Sequence, residues 1–381
     1  MVRHFMEGSK LVAEAVKLCK PDVISAYPIT PQTHIVETLA QLVADGKLKS
    51  KFLEVESEFS ALSSVVGAVA AGSRAFTTTC SQGLALMHEV LFATAGMRLP
   101  VVMVVANRAL SAPINIWNDQ QDSISERDSG WIQFYVETAQ EAVDTLIQAY
   151  RIAEDSRVLL PVMVCMDGFI LTHIVEPANI PSKKEINEFL PEYKPNHAIL
   201  DPKNPVTLGP FAYPEPYFKL RKELSTAIDN SIDIISQVNE EFGKLFNRKY
   251  GNGLIEEYKN DKDVTIISMG SVCGTIRCVV DSRDDVGLVK LRCYRPFPKE
   301  DLVKTLKGKK NVIVIEKNIS LGLGSGSVLS EIRDILYSLK DKPKVVGCVA
   351  GLGGTDIKSK DIKALIDKSK TMKDGEVEWL I

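Results

Sequence analysis

Val23-Ile24-Ser25-Ala26-Tyr27-Pro28-Ile29-Thr30-Pro31-Gln32-Thr33 is the stretch that decides the fold. An apolar segment runs into a Pro-X-Thr-Pro turn, and beyond it Ile35, Leu39, Leu42 and Val43 share one helical face. This is a short strand feeding an amphipathic helix, with Thr30 at the carboxyl end of the strand. Thr followed by Pro is also an ordinary helix start, so the spacing predicts that Thr30 is the N-cap and Pro31 the first helical residue.

Outward from this turn the same unit repeats. Apolar runs at Phe52–Val55, Ala75–Thr79, Val101–Ala106 and Pro161–Cys165 predict further strands. Helical periods separate them: Leu62, Val65, Val66 and Val69, then Leu84, Met87, Leu91 and Phe92 within Gln82–Gly96, then Gln140–Glu154. Alternation of this kind predicts an α/β fold with a doubly wound parallel sheet. From Pro177 to Pro216 prolines are dense, which predicts an extended connector over a surface, followed by a long helix over Leu220–Phe246 striped by Ile228, Ile232, Ile235 and Val238. A second α/β domain follows, with strands at Val264–Met269, Val286–Leu291, Val312–Glu316 and Val345–Val349. Its helices are expected near Gly274–Val280, Lys299–Leu306 and Ser327–Leu339. The expected division is residues 1–180, a connector and long helix over 181–255, and the second domain over 256–381.

A chain of 381 residues has room for two substantial cores. Its formal net charge of −3 argues against nucleic acid or an anionic membrane as the main partner. No apolar run approaches a membrane span, and the first residues lack a signal-peptide layout, so a cytoplasmic location is expected. The seven cysteines are scattered singly, most of them in apolar runs where the thiol packs as a small hydrophobe. Cys273 and Cys278, the nearest pair, have no Cys-X-X-Cys beside them, so no iron–sulfur cluster is expected within this chain.

In an open parallel sheet, ligands bind beyond the carboxyl ends of the strands. Thr30 follows the first strand, Glu58 the second, Ser81-Gln82-Gly83 the third and Arg108 the fourth. Each has an ordinary alternative. Glu56 and Glu58 suit the positive end of a helix dipole, and strand alternation places both on one face, so spacing does not choose between them. Ser81 could cap the next helix, and Arg108 could pair with Asp119 or Asp122. Its planar fork equally suits the carboxylate of a substrate. His34 and His88 have no partner at metal-ligand spacing and read as solvated or satisfied side chains. Gly322-Leu323-Gly324-Ser325-Gly326-Ser327 mimics a phosphate loop but lacks its spacing and its lysine, which favours glycines for tight turning.

With Val55-Glu56-Ser57-Glu58 and Asn107-Arg108-Ala109-Leu110-Ser111-Ala112-Pro113, the opening stretch resembles the pyrimidine-binding half of the 2-oxoacid:ferredoxin oxidoreductases. The segment Pro113–Asp122 is similar to their active-site loop, in the form found in α subunits acting on pyruvate. Gly270–Thr275 and Arg292–Pro298 resemble the transketolase C-terminal-like domain of that family. The resemblance implies a thiamine-diphosphate pyrimidine-binding fold and roles for single residues. Thr30 would sit against the oxoacid, and Arg108 would bind its carboxylate. Glu58 would share a proton with the pyrimidine ring nitrogen, favouring the imino tautomer that deprotonates the thiazolium carbon. Ser81 and Gln82 are candidate cofactor contacts. No Gly-Asp-Gly occurs in a usable frame, Met166-Asp167-Gly168 and Lys373-Asp374-Gly375 being the nearest, so Mg²⁺ and the diphosphate are expected on a β subunit and no metal ligand is expected here. The resemblance further implies γ and δ subunits, [4Fe-4S] clusters on partner chains, ferredoxin as acceptor and CoA as co-substrate. Rival readings are a branched-chain 2-oxoacid or 2-oxoglutarate as substrate, or a noncatalytic scaffold subunit. A nicotinamide dehydrogenase is disfavoured because no dinucleotide fingerprint opens either domain.

Overall fold

The computed structural model describes residues 2–195 and 199–381. The first sheet has seven strands, in the order Cys293–Arg295, Ile132–Tyr135, Val162–Asp167, Val102–Asn107, Ala75–Thr79, Val23–Ala26 and Lys51–Glu54. All neighbours are parallel except Cys293–Arg295, which lies antiparallel to Ile132–Tyr135. From Val23–Ala26 the chain steps outward to Lys51–Glu54, then returns to the other side at Ala75–Thr79. The strand order therefore reverses between Val23–Ala26 and Ala75–Thr79, and such a switch point opens a crevice at the strand ends.

A second sheet runs Val377–Leu380, Lys344–Ala350, Asn311–Glu316, Val264–Ser268, Val286–Leu291 and Ile255–Tyr258, parallel except for the last. Val2–Glu7 and Val175–Ile180 form a separate antiparallel ribbon. The doubly wound α/β architecture expected from the sequence is the one observed.

The two sheets share a core. Along the strands of the second sheet, Ile267, Val289, Val312 and Val314 join the large apolar cluster of the first domain. Their neighbours Ile266, Leu288, Ile313 and Ile315 point the other way, into a smaller cluster closed by Ile276, Val279, Ile362 and Ile366. The period of two along a strand thus divides one apolar run between two cores. Each fully buried aliphatic side chain contributes about 1.5–3 kcal/mol, so the seam between the domains holds firmly.

Charges reinforce it. Lys290, on the second sheet and 1% exposed, reaches Glu141 at 2.6 Å and Glu137 at 3.0 Å on the first domain. Arg292 beside it pairs with Glu141 at 3.1 Å and donates to Gly253 O at 2.7 Å.

Several elements differ from expectation for local reasons. The Gln82–Gly96 period is two helices, Ser81–Leu86 and His88–Gly96, joined at Met87. The long helix starts at Pro214, where proline fits the first turn. Its buried stripe begins only at Leu224, and the apolar Tyr217, Phe218 and Leu220 of the first turns are exposed. The proline-rich connector is not wholly extended, because Ser182 and Glu185 form a reciprocal capping box that starts the helix Lys183–Phe189.

Candidate active site

At the switch point, the turn after Val23–Ala26 is built around Gln32. Its side chain is fully buried, and Nε2 donates to Thr78 O at 2.8 Å and to Tyr27 O at 3.2 Å. Its own N–H closes the turn on Ile29 O at 2.8 Å. The helix therefore starts at Thr33, with Gln32 as N-cap and no capping side chain. The expected cap at Thr30 is not there. Thr30 is instead an exposed residue of the turn whose carbonyl accepts from Arg108 Nη1 at 2.7 Å.

Arg108 follows the central strand Val102–Asn107 and is 7% exposed. Its guanidinium is held by neutral oxygens: Thr30 O, Asn115 O at 3.0 Å through Nε, and Gln82 Oε1 at 3.4 Å. No carboxylate lies within 4.0 Å of it among the described residues. The alternative of a pair with Asp119 or Asp122 is not realised by the side chain. Asp122 accepts the backbone N–H of Arg108 instead, at 3.0 Å.

Glu58 opens the helix Glu58–Ala70 behind a Ser57 cap, whose Oγ accepts from Ser60 N at 3.2 Å. Glu58 is buried, and its carboxylate has no hydrogen-bond or ion-pair partner among the described residues. Glu56 is exposed and bonded to Ser60 Oγ. The strand ends at Glu54, so alternation does not govern the pair. One carboxylate is satisfied in solvent and the other waits unpartnered inside. Gly83 makes room for it, since a Cβ there would lie 2.6 Å from Glu58 Oε1 and 2.4 Å from Thr79 Oγ1.

Ser81 does not cap its helix; Cys80 holds that position. The Ser81 hydroxyl, with one proton to donate, lies 2.5 Å from Ala109 O and 2.6 Å from Gln82 Oε1, linking the third and fourth strand ends. Among the described residues, Gln82 Nε2 is a buried donor without a partner. An unpaired carboxylate, an unpaired amide donor and a glycine with no space for a side chain fit a flat heteroaromatic ring that offers hydrogen-bonding edges, which is what the pyrimidine of thiamine diphosphate presents.

The loop beyond Arg108 is gripped by the second domain. Asn115 Nδ2 donates to Gly353 O at 3.0 Å, and Asp119 Oδ2 accepts from Gly353 N at 3.0 Å. A Cβ on Gly354 would lie 2.4 Å from Trp117 Cβ. Lys317 bonds Asn118 and pairs with Asp167 at 3.2 Å, while Gln120 N–H donates to Lys317 O at 2.8 Å. Asp167 also accepts from Ser271 N at 3.0 Å. Sequence reasoning missed these contacts, although Glu316-Lys317-Asn318 does stand at a strand's carboxyl end. Burial raises the carboxyls of Asp119 and Asp122, the latter to about 6, against the N–H groups bonded to each.

His88 is satisfied by Glu126 at 2.7 Å, and His34 stacks on His173 at 4.6 Å. In the glycine cluster, Gly322 and Gly324 take left-handed φ values of 90° and 77°. The helix that follows is closed to phosphate because Glu316 accepts from Val328 N at 2.9 Å and Leu329 N at 3.2 Å. Among the described residues no three His, Cys, Asp or Glu side chains cluster as a metal site, and no helix is long and apolar enough to cross a membrane.

Known proteins share this architecture. Residues 14–240 match the family model "Pyruvate flavodoxin/ferredoxin oxidoreductase, thiamine diP-bdg", and residues 262–362 match "Pyruvate:ferredoxin oxidoreductase core domain II". The chain is 55% identical over 378 residues to pyruvate synthase subunit PorA of Methanocaldococcus jannaschii, across 98% of this chain and 96% of that one. It is 39% identical over 387 residues to ketoisovalerate oxidoreductase subunit VorA of Pyrococcus horikoshii, across 99% and 98%. A solved 2-oxoglutarate:ferredoxin oxidoreductase from Magnetococcus marinus, with 2-oxoglutarate, coenzyme A and succinyl-CoA bound, superposes with a TM-score of 0.74. At 20% identity that likeness is one of fold; it covers 96% of this chain, which spans 65% of that longer chain. This chain belongs to the pyruvate flavodoxin/ferredoxin oxidoreductase family and carries its thiamine diphosphate-binding domain.

Proposed function

We propose that this chain is the α subunit of a multisubunit pyruvate:ferredoxin oxidoreductase, which reversibly converts pyruvate and CoA to acetyl-CoA, CO₂ and reduced ferredoxin. The pyruvate synthase subunits among its relatives support the substrate. The observation that carries the reading is Arg108: a buried guanidinium at a strand end, held only by neutral oxygens among the described residues. Thiamine diphosphate, when bound, supplies the nucleophilic carbon and the electron sink for decarboxylation. Glu58 would hold a proton against its pyrimidine nitrogen, Gln82 and Ser81 would contact the ring, and Thr30 would contact the oxoacid. Arg108 takes the substrate carboxylate in a charge-assisted pair worth about 1.5–3 kcal/mol. Lack of a Gly-Asp-Gly motif supports placing Mg²⁺ and the diphosphate on a β subunit. The [4Fe-4S] clusters that pass electrons to ferredoxin then belong to partner chains, γ and δ among them, in the cytoplasm.

In the assembled enzyme, Arg108→Ala is expected to raise the pyruvate KM about 10- to 100-fold while thiamine diphosphate content stays normal. Wild-type kinetics would refute the role. Glu58→Gln should slow exchange of the thiazolium C2 proton, and an unchanged rate contradicts that assignment. Turnover across pyruvate, branched-chain oxoacids and 2-oxoglutarate ranks the substrates.

A further inference from the structure

Asp122 is 2% exposed, and no cation lies within 4.0 Å of its carboxylate among the described residues. Its charge is met by four N–H groups. Oδ2 accepts from the backbone of Ser81 at 2.9 Å and of Arg108 at 3.0 Å. Oδ1 accepts from Asn107 Nδ2 at 2.7 Å and from Ser123 N at 2.8 Å.

The place of this carboxylate in the sheet explains the arrangement. Strands Ala75–Thr79 and Val102–Asn107 pair up to Thr79 and Val105, and then diverge. Past that point the ladder gives Ser81 and Arg108 no backbone partner across the crevice, and a buried N–H requires one. One oxygen serves both. It fixes the distance between two turns whose side chains, Gln82 and Arg108, approach each other at 3.4 Å. Ser81 is moreover held at φ 49°, a left-handed conformation that a residue with a side chain adopts only under constraint. Asp122 sits on the helix Gln121–Ser125, at the end of the loop gripped by the second domain, so the same carboxylate ties that loop to both strand ends.

We infer that Asp122 is a positioning residue for oxoacid binding: it sets the guanidinium of Arg108 against Gln82 by holding the Ser81 and Arg108 amides on a single oxygen. The inference rests on Arg108 being the group that binds the substrate carboxylate. An asparagine would keep the Oδ1 partners but turn an NH₂ toward two N–H groups, so both turns would be released.

The test uses the assembled, thiamine diphosphate-loaded complex carrying Asp122→Asn, Arg108→Ala, or both. Asp122→Asn is expected to raise the pyruvate KM about tenfold or more, with kcat within about threefold of wild type and unchanged cofactor content. In the double variant the Asp122→Asn change should add nothing to the KM of Arg108→Ala, because it acts through that residue. A wild-type KM in Asp122→Asn beside an impaired Arg108→Ala overturns the inference alone, as do KM effects that multiply in the double variant. A wild-type KM in Arg108→Ala overturns the substrate reading and the inference with it. If Asp122→Asn does not assemble, Asn107→Ser removes one of the four donors and leaves the two amide bonds in place. It should raise KM about two- to fivefold, again without effect on top of Arg108→Ala, and an unchanged KM there refutes the inference.

Discussion

Replacing Gly83 with alanine sets two effects of opposite sign against each other. In a helix, alanine is favoured over glycine by about 0.8–1.0 kcal/mol, and Gly83 is inside the helix Ser81–Leu86. The added methyl, however, would stand 2.6 Å from Glu58 Oε1 and 2.7 Å from Glu58 Cγ. Restoring the 3.4 Å of ordinary contact asks for a shift of about 0.8 Å, and Thr79 Oγ1 at 2.4 Å closes the other side. Overpacking of this kind costs about 1–3 kcal/mol, so the fold should lose only about 0–2 kcal/mol net. The carboxylate, displaced by nearly an ångström, should lose roughly 100-fold in rate. The assay is C2-proton exchange of bound thiamine diphosphate, with turnover and thermal melting on the same preparation. A Gly83→Ala enzyme that melts near wild type and exchanges the proton slowly supports the geometry. One that exchanges at the normal rate refutes it, because Glu58 would then not be where the cofactor needs it.

Other consequences are more easily checked. Lys290→Met takes one cation from Glu137 and Glu141, which keep Arg277 at 2.8 Å and Arg292 at 3.1 Å, and should destabilise the chain by about 1–3 kcal/mol, read as a lowered melting temperature. Ser57→Ala removes the cap on the Glu58 helix and should cost about 1 kcal/mol in the same assay. Burial pushes Glu316 up to about 7, against the N–H groups of Val328 and Leu329, from an ordinary 4.5. Between those values the folded chain holds a proton that the unfolded chain has lost. Stability should therefore fall by roughly 3 kcal/mol as pH rises through that window, then level off above it. Glu316→Gln should flatten that slope in melting curves recorded across about pH 5–8.

The central strands were legible because both their faces are buried, so each reads as an unbroken apolar run: Val102–Asn107 and Val162–Asp167 are buried at every position. The peripheral ones were not. Lys51–Glu54 is largely exposed, and its apolar run extends to Val55, one residue past the strand, so the sequence alone makes Glu56 and Glu58 look equivalent. Cys293–Arg295 is three residues long, and its partner Ile132–Tyr135 is remote in sequence, so neither carries a local signature. Of the candidate site, the strand-end positions of Thr30, Glu58, Ser81 and Arg108 could be read, since topology alone puts them there. The groups that hold them could not. Gln32 and Asp122 act on backbone amides and carbonyls, and a side chain that satisfies backbone leaves no pattern in residue type.

Both edges of the seven-stranded sheet are guarded, in different ways. Lys51–Glu54 is short and carries charge at each end, which discourages another chain from pairing with it. The opposite edge is covered only because Cys293–Arg295 comes back from the far half of the chain. Cutting ahead of residue 293 would bare Ile132–Tyr135, four fully buried positions with a row of open backbone groups. The two halves are thus poor candidates for separate expression or for exchange between relatives. The unit that can be moved intact is the whole chain.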